Sequence, residues 1–461
     1  MTLIKSISGI RGTIGGPRGN ALTPPDTVKF TTGFGEFIKQ RSHNSNPTIV
    51  IGRDARISGP VIEQIVIGTL RAQGINVINL GLASTPTVEM AVPAEKAQGG
   101  IILTASHNPG NWNALKLLNE KGEFINDTEG QQMLDLAENH NYEYAQVENL
   151  GTYREEKNHT ALHIEAVKKL PLVDIDAIAA ANFTVAVDAV NSVGGIAIPQ
   201  LLKELGVKNV VELYCTPNGK FPHNPEPLPE NLSEISNVIR KENANVGFVV
   251  DPDVDRLALV CENGEMFGEE YTLVAVADYV LSNTPGNTVS NLSSTRALRD
   301  ITAKHNGNYH AAAVGEVNVV AKMKEVNAII GGEGNGGIIY PELHYGRDAL
   351  VGVALILTHM AKTGKKPTEL RAGYPDYHIS KNKIALSPQI DVDKILAAMQ
   401  EKYSAEQVNT IDGVKVDFEN EWFHLRKSNT EPIIRIYTES TNTKAAEELA
   451  DRIKSEINAI T

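Results

Sequence analysis

The 461-residue chain is poor in cysteine, in aromatic side chains and in long apolar runs, and each shortage removes a class of protein. Two cysteines, Cys215 and Cys261, are too few for a disulfide framework. Both thiols are expected to be reduced and buried, in a cytoplasmic protein. No apolar stretch approaches the ~18 to 20 residues that a membrane helix needs, so no membrane partner is expected. The opening residues, MTLIKSISGIRG, lack the apolar segment of a signal peptide, and export is not expected either. Positive charge is also short. With 43 Lys and Arg against 56 Asp and Glu the net charge is -13, which argues against nucleic acid or anionic membrane as a general partner. A local basic pocket for a small anion stays open, because net charge says little about single clefts. What remains is an ordinary globular composition, 41% hydrophobic and 21% charged, with core material for about three domains.

The first part of the chain alternates β-rich runs with helical patterns. TIVIGRD, INVINLG and GGIILTAS read as buried strands, and PVIEQIVIGTLRAQG between the first two reads as a helix. Such alternation predicts a parallel sheet covered by helices on both faces. A polar stretch, ENHNYEYAQVENLGTYREEKNH, precedes a second round: FTVAVDAVNSVGG, a helix at IAIPQLLKELG, then NVVELYC. A third round runs from NVGFVVDPDVDRLALV through NAIIGGEGNGGIIYP. After about residue 375 the order changes to HISKNKIALS, a helix at VDKILAAMQEKY, a strand-rich stretch to IRIYTES, and a closing helix KAAEELADRIKSEINAI. The expected fold is α/β: three similar α/β domains with mixed or parallel sheets, at 1–150, 151–257 and 258–373, and a smaller α+β domain at 374–461.

Four loops at predicted strand ends carry side chains suited to chemistry. TASHNP, residues 104–109, pairs Ser106 with His107. Neighbours on an extended chain point to opposite sides, so His107 is badly placed as a base for Ser106. The surroundings do not match the esterase elbow G-x-S-x-G, and a plain turn is the competing reading. DPDVDR places Asp251, Asp253 and Asp255 at alternate positions, bringing hard oxygen ligands to one point, as Mg²⁺ prefers. An EF-hand fails because Arg256 stands where the loop needs glycine, and zinc lacks a nearby histidine; a solvated acidic turn is the alternative, against which the mutual repulsion of three close carboxylates speaks. GGEGNGG formally contains G-x-G-x-x-G, but a strand-like IIYP follows where a helix should begin. Glu333 and Asn335 there suit a hydroxyl-rich ligand, with a flexible hairpin as the alternative. In RKSNTEPIIR, Arg426 and Arg435 offer planar forks for phosphate, with Ser428, Asn429 and Thr430 as neutral donors between them. A surface hairpin with scattered charge is the alternative there.

In this order and at this spacing, the four loops resemble those of the α-D-phosphohexomutases, and the resemblance runs from SGIRG to SNTEPIIRIYTE. It implies domains arranged around a central cleft and a phosphoryl group carried on Ser106. That group would pass to a sugar monophosphate, give a bound sugar 1,6-bisphosphate, and return from its other end. By the same resemblance Asp251, Asp253 and Asp255, with the phosphate on Ser106, hold one Mg²⁺, and Arg256 lies near the reacting phosphate. Lys116 and Arg11 match the acid–base and electrostatic positions; a lysine crowded by cations and a metal is expected to have a depressed pKa. His107 is expected to contact phosphate or orient it, and the loop GRDAR, residues 52–56, to support the site. Glu333 and Asn335 match the sugar loop, although many relatives carry serine at the position of Asn335. Arg426, Ser428, Asn429, Thr430 and Arg435 match the grip on the passive phosphate, and His223, in FPHNPEPLPENL, is expected to approach the ligand. The implied partner is a hexose or hexosamine phosphate, the protein a monomer or homodimer, and the branch, from SGIRGTIGG and YPELHYGRD, that of the phosphoglucosamine mutases. A serine-dependent sugar phosphatase and a non-catalytic sugar-phosphate binder are the readings from other classes.

Overall fold

The structure, a computed structural model, describes residues 2–6, 9–138, 142–385, 391–427 and 433–460. It divides into two compact units, Met1–Thr272 with Gly336–Thr368, and Leu273–Asn335 with Glu369–Thr461.

The first unit is built on two sheets. In the larger, Gly99–Leu103, Thr48–Arg53, Asn76–Leu82 and Tyr153–Glu155 lie side by side and parallel. The first three runs are apolar at successive positions because both faces are covered, whereas Tyr153–Glu155 at the edge is polar and exposed. Ile49 and Ile51 join a core with Phe30, Phe34, Val66 and Leu70, whereas Val50 packs with Val88 and Val92 on the other side. The sheet as a whole is mixed, one of the two forms expected for these domains. Trp112–Leu118 runs antiparallel to Gly99–Leu103, and Gly9–Thr13 and Leu3–Ser6 continue that pattern to the edge. The reason is loop length: residues 104–111 are too few for a parallel crossover, which takes a dozen or more. TASHNP is therefore part of a tight return.

The smaller sheet has the order Leu257–Cys261, Val246–Val250, Thr184–Asp188, Asn209–Leu213. Its first two strands are an antiparallel pair joined through residues 251–256, and the rest are parallel. Helices Gly194–Glu204 and Ser233–Glu242 carry the apolar positions that pack with it.

In the second unit, Tyr309–Ala312, Asn287–Asn291 and Ala328–Glu333 are parallel neighbours. A separate five-stranded antiparallel sheet has the order His378–Ala385, Ile433–Ser440, Trp422–Lys427, Val414–Asp417, Gln407–Asn409. Phe423, Leu425, Ile434 and Ile436 alternate along their strands into a core with Ile395, Met399, Leu449, Ile453 and Ile457. The last three recur at helical spacing on Thr443–Ile460, the closing helix that the sequence predicts. Cys261 is buried as expected, whereas Cys215 is only partly so; neither is joined in a disulfide.

Candidate functional site

Ser106 sits just past strand Gly99–Leu103 in a left-handed conformation, φ +49°. A non-glycine residue stays there only when its surroundings hold it. The holding group is Arg56, which has no accessible surface. Its Nη2 donates to the carbonyls of Ser106 and Asn108 at 2.5 and 2.6 Å, and its Nη1 to those of Pro109 and Trp112 at 2.6 and 3.1 Å. Asp54 orients Arg56 through Nε at 2.9 Å and accepts the Thr104 hydroxyl at 2.7 Å. Thr104 Oγ1 in turn accepts the Ser106 N–H at 3.0 Å. GRDAR thus clamps the serine loop, the supporting role that the resemblance implies.

Asp251, Asp253 and Asp255 are all fully buried on the turn between two strands. Val254 between them is also left-handed, φ +65°, a strained state for a β-branched residue. The Ser106 hydroxyl donates to Asp251 Oδ2 at 2.8 Å, so residues 145 apart in sequence meet. Asp253 Oδ2 accepts from Thr85 Oγ1 at 2.6 Å and from Lys116 Nζ at 2.7 Å. Asp255 Oδ2 accepts from Arg347 Nη2 at 2.6 Å and from Lys116 at 3.3 Å. One donor oxygen from each aspartate lies within 4.8 Å of the other two. Asp253 Oδ1 and Asp255 Oδ1 are buried with no hydrogen-bond partner. An all-oxygen trio with two unsatisfied carboxylate oxygens fits a hard divalent cation such as Mg²⁺.

Electrostatics tie further groups to this cluster. Burial together with Asp255 and Asp253 pushes the Asp251 carboxyl well up. Burial also acts on Asp255, but Arg347 and Lys116 outweigh it and hold that carboxyl well down. Arg11, on strand Gly9–Thr13, is lowered by burial and by Arg256, and feels Asp253, Arg347 and Asp255 as well. Four cationic side chains, Arg11, Lys116, Arg256 and Arg347, therefore act on the same three carboxylates, a field that favours an added anion.

Two expectations need correction. Lys116 is not depressed: burial lowers its pKa, but Asp253 and Asp255 more than compensate and drive it well above the ordinary lysine value. His107 is not turned away from Ser106, because the left-handed serine breaks the extended geometry and brings Nδ1 to 3.3 Å from Oγ. Burial and Arg256 hold this imidazole well below its usual pKa, so it is neutral near pH 7.

Arg256 and His107 both face Glu226, at 3.4 and 3.8 Å. Glu226, Thr85 and Arg347 escaped the sequence reading, although Glu226 and Arg347 stand in FPHNPEPLPENL and YPELHYGRD. His223 Nε2 lies 3.1 Å from Asp188 Oδ2 and Nδ1 2.8 Å from the Asn224 carbonyl. Burial lowers its pKa, but Asp188 and the carbonyl carry it upward overall. The structure places it beside Asp188.

In the second unit, Glu333 ends its strand and accepts from Asn291 Nδ2 at 2.8 Å and the Gly315 N–H at 3.2 Å. Ser294 Oγ accepts the Gly334 N–H at 2.9 Å, so the loop leading to Asn335 is held by its neighbours. Arg426 and Arg435 are direct cross-strand partners. Like charges so placed repel unless an anion or carboxylate intervenes; Asp412 lies 3.4 Å from Arg426 Nε. Ser428, Asn429 and Thr430 lie outside the described residues.

Comparison with known proteins follows the same layout. Four phosphoglucomutase/phosphomannomutase domain families match in order: alpha/beta/alpha domain I at residues 3–143, domain II at 161–264, domain III at 268–377, and the C-terminal domain at 385–456. A phosphoglucomutase/phosphomannomutase of Thermococcus kodakarensis is 34% identical over 95% of this chain and 96% of its own. A phosphoglucosamine/phosphogalactosamine mutase of Sulfurisphaera tokodaii is 30% identical over 97% of each. A crystal structure of a phosphoglucomutase/phosphomannomutase family protein from Burkholderia thailandensis aligns with TM-score 0.84 and 26% identity, over 99% of this chain and 98% of that one. Four domain families in unbroken order over nearly the whole length place the chain in the phosphoglucomutase/phosphomannomutase family, the α-D-phosphohexomutases, which are isomerases acting as intramolecular phosphotransferases.

Proposed function

We propose that this protein interconverts the 6-phosphate and 1-phosphate of a hexose or hexosamine through phosphoserine at Ser106 and a bound sugar 1,6-bisphosphate, with glucosamine phosphates as the preferred pair. The observation that carries the reading is the Ser106 hydroxyl at 2.8 Å from Asp251, inside a buried carboxylate trio ringed by cations. When held by Asp251, Asp253 and Asp255, a divalent ion such as Mg²⁺ would neutralise charge on the transferring phosphoryl group and on the carboxylates around Lys116.

The chain's own residues do the rest. In the forward half-reaction a sugar hydroxyl attacks the phosphorus on Ser106. The new sugar O–P bond forms as the serine O–P bond breaks, and the electron pair returns to Ser106 Oγ. The hydroxyl proton passes to a base; Lys116 Nζ is the candidate, and it can take that role only in its neutral form, because the ammonium that Asp253 and Asp255 favour has no lone pair to accept a proton. Arg11, Arg256 and Arg347 offer guanidinium groups to stabilise the charge spread over the phosphoryl oxygens. After the bisphosphate reorients, the serine takes back its other phosphoryl group. A mutase also needs a grip on the phosphate that is not reacting, and Arg426 and Arg435 are the candidates, with Ser428, Asn429 and Thr430. Glu333 and Asn335 are the candidates for sugar hydroxyls, while His107 and His223 are reserved for phosphate orientation and ligand approach.

A second reading, glucose and mannose phosphates as substrates, is favoured by the 34% identity to the Thermococcus kodakarensis phosphoglucomutase/phosphomannomutase. Comparing kcat/KM for glucosamine, glucose and mannose phosphates separates the two. If glucosamine phosphate is the poorest of the three, the preference stated here is wrong. Incubation with a hexose 1-phosphate and Mg²⁺ tests the reaction class: inorganic phosphate released without 6-phosphate product would mark a phosphatase instead. Intact mass should show a species about 80 Da heavier that Ser106→Ala lacks, with mutase activity falling by at least about 10⁴-fold.

A further inference from the structure

Away from the Ser106 cluster, the first unit brings two imidazoles and two carboxylates together from three parts of the chain. His163 lies on helix His159–Lys168, Glu89 on helix Thr85–Ala94, and His344 and Asp348 on the segment that leads into helix Ala349–Thr363. His163 Nε2 is 2.8 Å from Asp348 Oδ2, and His344 Nε2 is 3.3 Å from the same oxygen. One donor atom of each of these three residues lies within 4.8 Å of the other two. His163, Asp348 and Glu89 are buried, while the His344 side chain keeps 13% of its surface accessible.

We propose that His163 Nε2, His344 Nε2 and Asp348 Oδ2 form a second metal site, for a first-row transition ion such as Zn²⁺, with the fourth position left to water on the side of His344. Two imidazoles and one carboxylate are the donor set such ions prefer, whereas the all-oxygen aspartate trio suits Mg²⁺. Tetrahedral bonds of about 2.0 Å put donor atoms roughly 3.3 Å apart; the two imidazole nitrogens lie 2.8 and 3.3 Å from Asp348 Oδ2 and within 4.8 Å of each other.

The surroundings match in a way that a chance meeting of polar side chains does not require. A metal-bound histidine is oriented by a partner on its other nitrogen. His163 Nδ1 is 3.0 Å from Thr87 Oγ1, and His344 Nδ1 faces Glu89 Oε2 at 3.6 Å. The second oxygen of Asp348 is already engaged, accepting the Leu350 N–H at 2.8 Å as the cap of its helix, which fixes the direction of Oδ2. Gly346 leaves the room this needs, since a Cβ there would sit 2.0 Å from Glu89 Oε2.

The site adjoins the reaction centre through the backbone. Asp348 follows Arg347, which holds Asp255, and Thr87 lies two residues beyond Thr85, which holds Asp253. An ion bound here would brace both segments.

The test uses purified full-length protein, stripped with chelator, dialysed, and kept in excess Mg²⁺ so that hard-ion sites are filled. Co²⁺ is titrated as a spectroscopic stand-in for Zn²⁺. One equivalent should give the visible band of a tetrahedral site, which Zn²⁺ abolishes. The band should persist in Asp251→Asn, disappear in His344→Ala, and need about 10- to 100-fold more Co²⁺ in Thr87→Val, as expected for loss of an orienting partner. Wild-type protein should also gain thermal stability with micromolar Zn²⁺, a readout independent of whether any variant folds. No band at one equivalent, a band that survives in His344→Ala, or a wild-type Tm unmoved by Zn²⁺ would each overturn the site and leave the cluster as a buried hydrogen-bond network. A band lost in Asp251→Asn would assign the ion to the aspartate trio and equally overturn it.

Discussion

Arg56 gives both terminal nitrogens of its guanidinium to one loop, and Asp54, on Nε, is its only carboxylate partner among the described ion pairs. Burial pushes the Asp54 carboxyl up, and Arg56 is the main influence in the other direction. Arg56→Ala would leave that carboxyl buried and uncompensated, and is expected to cost about 3 to 5 kcal/mol. Urea denaturation of the variant measures this, and a cost under about 1 kcal/mol would refute the clamp. Arg56→Lys should recover only part of the loss, because one ammonium cannot reach four carbonyls in a planar fork. At this scale the sequence was informative about identity and silent about conformation. Ser106 and the three aspartates stood out as residues; the left-handed φ of Ser106 and of Val254 did not. Those angles are imposed by contacts made far away in the chain.

Elements were legible where one periodicity dominated. The strands and helices of the first unit follow their apolar runs, and the closing helix follows its 3.6-residue spacing. Strand Trp422–Lys427 was harder to read, because both of its faces are buried. Phe423 and Leu425 enter the apolar core, while Trp422 and His424 face buried polar groups. Trp422 Nε1 donates to Glu439 at 2.6 Å, and His424 sits between the Ser293 hydroxyl, 2.9 Å away, and the Asp412 carbonyl, 2.6 Å away. Burial, aided by Lys415 and Arg426 against the Asp412 contacts, lowers the His424 pKa to about 4. The unfolded chain binds this proton near 6.5, so between the two values the unfolded state holds more protons and acidification destabilises the fold. The stability that His424 supports is complete above about pH 6.5 and is lost as pH falls towards 4, by up to about 3 kcal/mol. His424→Gln should therefore flatten the pH dependence of denaturation between 6.5 and 4.5. Parallel slopes for the two proteins would show that another group is responsible.

For the whole molecule, the decisive question is whether one chain handles two phosphates. The cross-strand arginines of the second unit are the candidate passive grip. Removing one charge-assisted contact costs roughly 1.5 to 3 kcal/mol, so Arg426→Ala should raise KM for both sugar phosphate isomers about 10- to 100-fold. The phosphoserine mass on Ser106 should be unchanged. A fall in kcat with KM intact would remove Arg426 from the passive site. The sequence shows four successive domains, which the four matching domain families repeat, but not their grouping into two compact units. Sequence order reports local alternation of strand and helix, whereas compactness depends on which segments pack, and residues 336–368 return to the first unit after an excursion through the second.

The sequence by itself determined the α/β class, the families of the domains and the chemistry-bearing loops, because apolar period and loop composition are local properties of the chain. Only the tertiary structure decided what those loops do to one another. It set Asp251 against Ser106, brought the unsuspected Arg347 and Thr85 to the aspartates, and turned His107 back towards the serine. It also reversed the expected direction for Lys116, whose charge is governed by two carboxylates 137 and 139 residues away. Through-space electrostatics and burial act on distances that sequence spacing does not contain.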